Sequence, residues 1–316
     1  MNNPYSLVFG ISPDEHVARI SQKREVVNAL SEGTQRIYML TGVHGSGKTV
    51  FVTEIKKTME QLKDWIVIEL STELDMLKSL AGKLNSREKL ASIFKSAKIN
   101  LSVLGFGVEI KNTPPITDIE IALSKMLEAI KKNNKRLLVV VDEAVDNANV
   151  RAFSSVFQIL LREELPINLL MTGLYENIDD LQNEKNLTFL HRTPKLHLSP
   201  LNIGAMAESY MRTLQVDEQT AIAMAQLTKG YSYAFQVLGY CAFEQKKNYE
   251  ALLPEIKQYL EEYVYEKIWS ELSEKDKRVA KAIADTPSGK VLEIRKLLNM
   301  ESNEFSPYKK RLARKG

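Results

Sequence analysis

The chain has 316 residues, enough for two or three domains, and its 44% hydrophobic and 26% charged content is that of an ordinary globular protein. A formal net charge of +3 is too small to name a polyanionic partner, so only local clusters of charge carry that information. The single cysteine, Cys241, excludes an internal disulfide. No secretory-type N-terminal segment and no apolar run of bilayer-spanning length is present, so the expected location is the cytoplasm, with no membrane partner.

The first 35 residues start irregularly at Asn3-Pro4 and Ser12-Pro13, then turn helical, with Val17, Ile20, Val26, Val27 and Leu30 as core positions. Arg36 to Leu40 reads as a buried strand. It leads into Thr41-Gly42-Val43-His44-Gly45-Ser46-Gly47-Lys48-Thr49, the order and spacing of a P-loop. The glycines let successive backbone N–H groups of residues 42–47 turn inward on a phosphate chain. Lys48 is placed for the β- and γ-phosphates, and the Thr49 hydroxyl for Mg²⁺. Val52, Ile55, Met59 and Leu62 then recur at helical spacing, which puts the phosphates at a helix N-terminus. Strand, glycine loop and helix together point to ATP as ligand with Mg²⁺ carried alongside it. A glycine-rich strand–helix turn would account for Gly42 and Gly45 but not for Lys48-Thr49.

Trp65 to Leu70 is a second buried strand. Residues 73–98 read as helices, with Leu74, Leu77, Leu80 and Leu84 in period. Leu101 to Ile110, with Gly105 and Gly107, reads as a short hairpin or edge element. Residues 117–132 form an amphipathic helix capped by Thr117. Arg136 to Val141 then runs into Asp142-Glu143. An unbroken apolar run is a strand covered on both faces, and acids at its C-terminal end lie where α/β sheets bind ligands. This is the form of a Walker B segment: Asp142 for the Mg²⁺, Glu143 as general base on the attacking water.

Residues 150–165 are helical, Ile167 to Gly173 is a strand with Thr172 at its polar end, and Leu196 to Leu201 is a fifth strand. Strands alternating with helices give a parallel α/β sheet. Residues 202–262 read as helical throughout, and a long helix runs from Leu252 to about Leu272 with Ile256, Tyr259, Leu260, Tyr263, Val264 and Ile268 inward. The tail reads as three short helices, 274–285, 291–298 and 302–314. From Phe305 onward it holds Lys309, Lys310, Arg311, Arg314 and Lys315 and no acid. Such a unit resembles a helix-turn-helix or winged helix with a basic last helix suited to duplex DNA. The bland alternative is cations complementing a helix C-terminus.

The P-loop, the Walker B segment, the strand ending in Thr172, Arg192 before a last strand closing in Ser199-Pro200-Leu201, and the helical tail together resemble the AAA+ ATPases. More narrowly they are similar to the origin-recognition initiators and the archaeal STAND-like ATPases, and Gly230 to Gly239 resembles the glycine–aromatic opening of a lid helix in that branch. The resemblance implies an α/β fold with a five-stranded parallel sheet in the order 5-1-4-3-2. It implies a core over 1–201, a helical lid over 202–272 and an incomplete winged-helix unit over 273–316 in a chain that continues past Gly316. It also implies Thr172 as the sensor residue near the γ-phosphate and Arg192 as an arginine finger offered to a neighbouring subunit of a homo-oligomer. A solvated loop cation and a plain strand-end threonine are the alternatives. One departure stands out: residues 230–245 contain no Lys or Arg where initiators carry a lid arginine. The implied function is an ATPase coupling Mg-ATP to DNA engagement; the alternative is a STAND-like switch that governs protein assembly and turns over little. A P-loop metabolic kinase is weaker, because no acceptor site is legible.

Overall fold

The computed structural model describes residues 2–8, 13–106, 110 and 113–315. The chain divides into two compact units. One holds Arg19–Thr41 and Lys48–Leu198; the other holds Met1–Ala18, Gly42–Gly47 and Ser199–Gly316.

The first unit is a five-stranded sheet, β1 (Ile37–Thr41), β2 (Trp65–Leu70), β3 (Arg136–Val141), β4 (Ile167–Gly173) and β5 (Lys195–His197). The order is β2-β3-β4-β1-β5 and every pairing is parallel, which is the predicted order. Strand alternation sends Ile37, Met39, Leu137, Val139, Val141, Leu169 and Met171 to one face and Tyr38, Leu40, Leu138, Val140 and Leu170 to the other. Helices α1 (Ile20–Ser31) and α2 (Lys48–Glu60) cover the second face through Val26, Leu30, Phe51, Val52, Ile55 and Met59. Helices α3 (Met76–Asn85), α4 (Glu88–Ser96), α5 (Ile119–Lys132), α6 (Ala148–Arg162) and α7 (Tyr175–Asn183) supply the first face. Burial on both sides explains why β3 and β4 read as unbroken apolar runs.

The second unit is helical: α8 (Ile203–Leu214), α9 (Glu218–Leu227), α10 (Ser232–Gln245), α11 (Tyr249–Leu260), α12 (Glu266–Ser270), α13 (Glu274–Ala284), α14 (Val291–Leu298) and α15 (Ser302–Lys315). Tyr5, Tyr210, Met224, Phe235, Leu238 and Cys241 form one core. Val279, Ala282, Ile294, Leu298 and Phe305 form a second, under the three C-terminal helices. No helix of the described residues is long and apolar enough to cross a membrane.

Several local expectations differ from the structure. The hairpin over 101–110 is instead a 3-10 turn at Ser102–Leu104 ending in Gly105 at φ 84°; its residues 107–109 lie outside the described residues. Glycine at a left-handed turn position had imitated a strand break. Asp118, not Thr117, caps α5, accepting from the Ile121 N–H at 3.0 Å. The fifth strand is confined to Lys195–His197. The long helix from Leu252 runs on through a π-turn at Glu261–Tyr265, whose extra residue shifts the helical period and leaves Tyr263 exposed rather than inward. Ile20, Leu62 and Leu74, each at or beyond a helix end, are exposed too.

The C-terminal helices are tied by a buried charge. Asp276, 3% exposed, accepts from Arg311 Nε at 2.9 Å and Nη2 at 2.7 Å and from the Ser273 hydroxyl at 2.5 Å. Burial alone would raise the Asp276 pKa; the bonds from Arg311 and Ser273 outweigh it and hold the carboxyl below its usual value. A depressed acid stabilises the fold above its unfolded value of about 3.9 and loses that contribution as pH falls further. Asp276→Asn is expected to cost the C-terminal unit roughly 1–3 kcal/mol near neutral pH, the lower end reflecting the partial exposure of Arg311. In urea melts the deficit should shrink below about pH 4; an equal deficit at all pH values would contradict the ion-pair account.

Candidate functional site

In the sheet unit the chemistry gathers at the carboxyl ends of β3 and β4, adjacent in the sheet. Asp142 follows β3 directly. Its Oδ2 accepts from the Thr49 hydroxyl at 2.8 Å, and Thr49 stands in the first turn of α2. Its Oδ1 accepts from the hydroxyl of Thr172, which is fully buried in β4, and from the Glu143 N–H at 3.1 Å. Thr172 Oγ1 in turn accepts from the same Glu143 N–H at 3.3 Å, and the Thr172 carbonyl accepts from Ala144 N–H at 2.6 Å. One threonine therefore fixes both the Asp142 carboxylate and the peptide that carries Glu143.

Glu143 takes the left-handed conformation, φ 53°, with its side chain exposed. For a non-glycine residue this costs on the order of 1 kcal/mol and persists because neighbouring bonds over-determine it. The sharp turn separates the two acids: Asp142 turns back to Thr49 and Thr172 while Glu143 projects outward.

Lys48, half-buried at the start of α2, has its pKa lowered by burial, with the nearby carboxylates Asp142 and Glu143 opposing that shift. The donor set suits Mg²⁺. A hydroxyl and a carboxylate oxygen stand 2.8 Å apart here, both hard oxygen donors of the kind Mg²⁺ takes.

In the helical unit the loop residues Gly42–Gly47 are held through their backbone. The Tyr231 hydroxyl donates to the His44 carbonyl at 2.8 Å, the Tyr233 N–H to the Gly45 carbonyl at 3.1 Å and the Ser232 hydroxyl to the Ser46 carbonyl at 2.9 Å. The three come from consecutive residues that open α10. Gly45 has φ +68°, and a Cβ there would stand 2.1 Å from the Tyr231 oxygen. Glycine is required at this position by its neighbour as well as by its backbone conformation. His44 places Nε2 3.7 Å from a carboxylate oxygen of Glu271, which also lies 4.0 Å from Lys315 Nζ. Sequence reasoning missed Tyr231 and Ser232 as loop contacts; the only signal was their place in the Gly-Tyr-Ser-Tyr opening of the helix.

Arg192 is exposed at the end of a 3-10 turn, Thr188–Arg192. Buried Gln182 spans that turn, with Nε2 donating to the Leu190 carbonyl at 2.8 Å and to the Thr193 carbonyl at 3.3 Å. Among the basic residues of α15, Lys309 and Lys310 are exposed, whereas Arg311 is committed to Asp276 and Lys315 is mostly covered.

A family profile described as an ATPase domain predominantly from Archaea matches residues 17–191. The chain belongs to this family. Its members are ATPases, and this ATPase binds ATP. No protein of curated function matches the sequence. Among solved structures, Cdc6p from Pyrobaculum aerophilum is similar with a TM-score of 0.52 at 11% identity, over 96% of this chain and 88% of that one. The ADP form of the ORC2 protein from Aeropyrum pernix is similar with a TM-score of 0.51 at 14% identity, over 96% and 87%. The fold is the AAA+ fold of these proteins.

Because burial depresses the Lys48 pKa, the charged ammonium costs the ligand-free fold stability at every pH below that depressed value. Lys48→Met should leave the melting temperature of the free ATPase unchanged or higher. It should also abolish the rise produced by ATP, which for saturating ligand at about 100 Kd corresponds to about 2.7 kcal/mol. A melting temperature that still rises with ATP in this variant would remove Lys48 from the site.

Proposed function

We propose that this ATPase hydrolyses Mg-ATP and couples the nucleotide state to engagement of duplex DNA. The observation that supports the reading best is the hydrogen-bonded set Thr49–Asp142–Thr172 with Glu143 projecting beside it. Residues 42–47 supply inward backbone N–H groups to the phosphates while α10 occupies their carbonyls, and Lys48 neutralises the terminal phosphates. Thr49 and Asp142 hold Mg²⁺, which when bound screens the phosphate charge. Glu143 accepts a proton from the attacking water. Thr172 acts through Asp142 and Glu143 by holding both in place. Arg192, exposed on its own chain, serves the site of a neighbouring copy and stabilises charge developing on the transferred phosphoryl group.

The domains follow the same reading: a core over 1–201, a lid over 202–272 and a C-terminal winged-helix-like unit over 273–316. DNA engagement rests on the exposed Lys309 and Lys310 of α15, which contact phosphates. Arg311 is the internal tie of that unit and is not counted among the DNA contacts.

A second reading is supported by a specific observation. The opening of α10 carries no cation and grips the loop through Tyr231, Ser232 and Tyr233, which suits a nucleotide switch that turns over rarely and governs protein assembly.

Glu143→Gln is expected to bind ATP as the parent does and to lose at least about a hundredfold in turnover, the scale of a general-base contribution. Lys309→Glu with Lys310→Glu is expected to leave turnover without DNA unchanged. In a fluorescence-anisotropy titration it should weaken duplex binding and flatten its log–log salt dependence by about 1.8, two phosphate contacts' worth. DNA affinity with an unaltered slope would assign these lysines to solvated surface; no DNA affinity in the parent, with nucleotide-dependent assembly, would select the switch.

A further inference from the structure

A cavity of about 450 Å³ lies within the helical unit, apart from the loop residues 42–47. It is walled by Tyr5, Tyr233, Tyr240, Tyr259 and Tyr263, with Asp14 and Glu244 at its lining. No lysine or arginine lines it among the described residues. Tyr259 and Tyr263 are stacked at 6.0 Å with planes 22° apart, Tyr263 standing in the π-turn of the long helix. The N-terminal wall is fastened to α10. Asn3 Nδ2 donates to the Tyr240 carbonyl at 3.2 Å and to Glu244 Oε1 at 2.9 Å, the Ser6 N–H donates to Gln236 Oε1 at 3.1 Å, and Gly239 leaves the room that the Tyr5 ring fills.

Tyrosine faces carry negative charge density, and two carboxylates, with no lysine or arginine among the described lining residues, add to it. The chemistry that matches is a cation with a flat or compact head. Asp14 and Glu244 are exposed, so they act as charge complementary to a cation, and anions would be repelled. The volume is of the size that receives a side chain with its flanking residues. Tyr263 remains 63% exposed at the rim, so a chain can enter. We infer that this cavity binds an arginine or lysine side chain presented by a basic peptide segment of a partner protein. Tyr233 lines the cavity and donates its N–H to the Gly45 carbonyl, so the bound segment would rest on the same turn of α10 that holds the phosphate loop.

The test uses the full chain and two blocked pentapeptides, one arginine flanked by glycines and its citrulline counterpart, which keeps the shape and loses the charge. Peptide-observed NMR titration should give at least about tenfold tighter binding of the arginine peptide. Tyr263→Ala should lose about tenfold while Tyr263→Phe, which keeps the ring face, retains binding. Glu244→Gln should lose about severalfold. A saturating non-hydrolysable ATP analogue should leave the peptide bound. Equal binding of the citrulline peptide, or binding of neither, would overturn the inference. Displacement of the peptide by the ATP analogue, with Tyr263→Ala weakening ATP itself, would overturn it too, by assigning the cavity to the nucleotide base. None of these outcomes depends on hydrolysis or on DNA.

Discussion

The carboxyl end of the sheet depends on one carboxylate. Asp142 gathers hydrogen bonds from the Thr49 hydroxyl, the Thr172 hydroxyl and the Glu143 N–H. Its position follows from the sheet: β3 and β4 are parallel neighbours buried on both faces, so the residues that leave their carboxyl ends are fixed by the core. The left-handed turn at Glu143 is held by the same bonds, and it sends two adjacent acids different ways, one turned in to the first turn of α2 and one exposed. Without Thr172, burial of Asp142 would be poorly compensated and the Glu143 turn would lose one of its acceptors.

The helical unit has its own organising contact. Three consecutive residues at the start of α10 occupy three consecutive carbonyls of the phosphate loop. A nest of backbone N–H groups needs its carbonyls directed elsewhere, and Tyr231, Tyr233 and Ser232 provide that elsewhere. Glu271, near both His44 and Lys315, extends the connection from the loop to the last helix.

The sheet was legible in the sequence because burial on both faces writes itself as apolar runs such as Leu137–Val141 and Ile167–Met171, and because the P-loop and Asp142-Glu143 are contiguous motifs. The roles of Tyr231 and Ser232 were not legible: they bond to backbone carbonyls, which leave no residue-type signature at a fixed spacing. Arg311 read as a DNA-facing cation because its partner, Asp276, lies 35 residues away. The π-turn at Glu261–Tyr265 was invisible for a related reason: one extra residue keeps the helical composition while rotating the inward face away from Tyr263. Gly105 misled in the other direction, ending a 3-10 turn where alternation suggested a strand.

We propose that two copies of this ATPase complete one hydrolytic site, with Arg192 supplied across the contact. The measurement that tests it most directly is steady-state ATP turnover as protein concentration rises, for the parent, for Arg192→Ala, and for a mixture of Arg192→Ala with Glu143→Gln. The account predicts specific activity that climbs with concentration in the parent, stays low and flat in each variant alone, and recovers in the mixture, where one copy keeps its base and the other its arginine. Parent activity independent of concentration, or a mixture no more active than its parts, would contradict it.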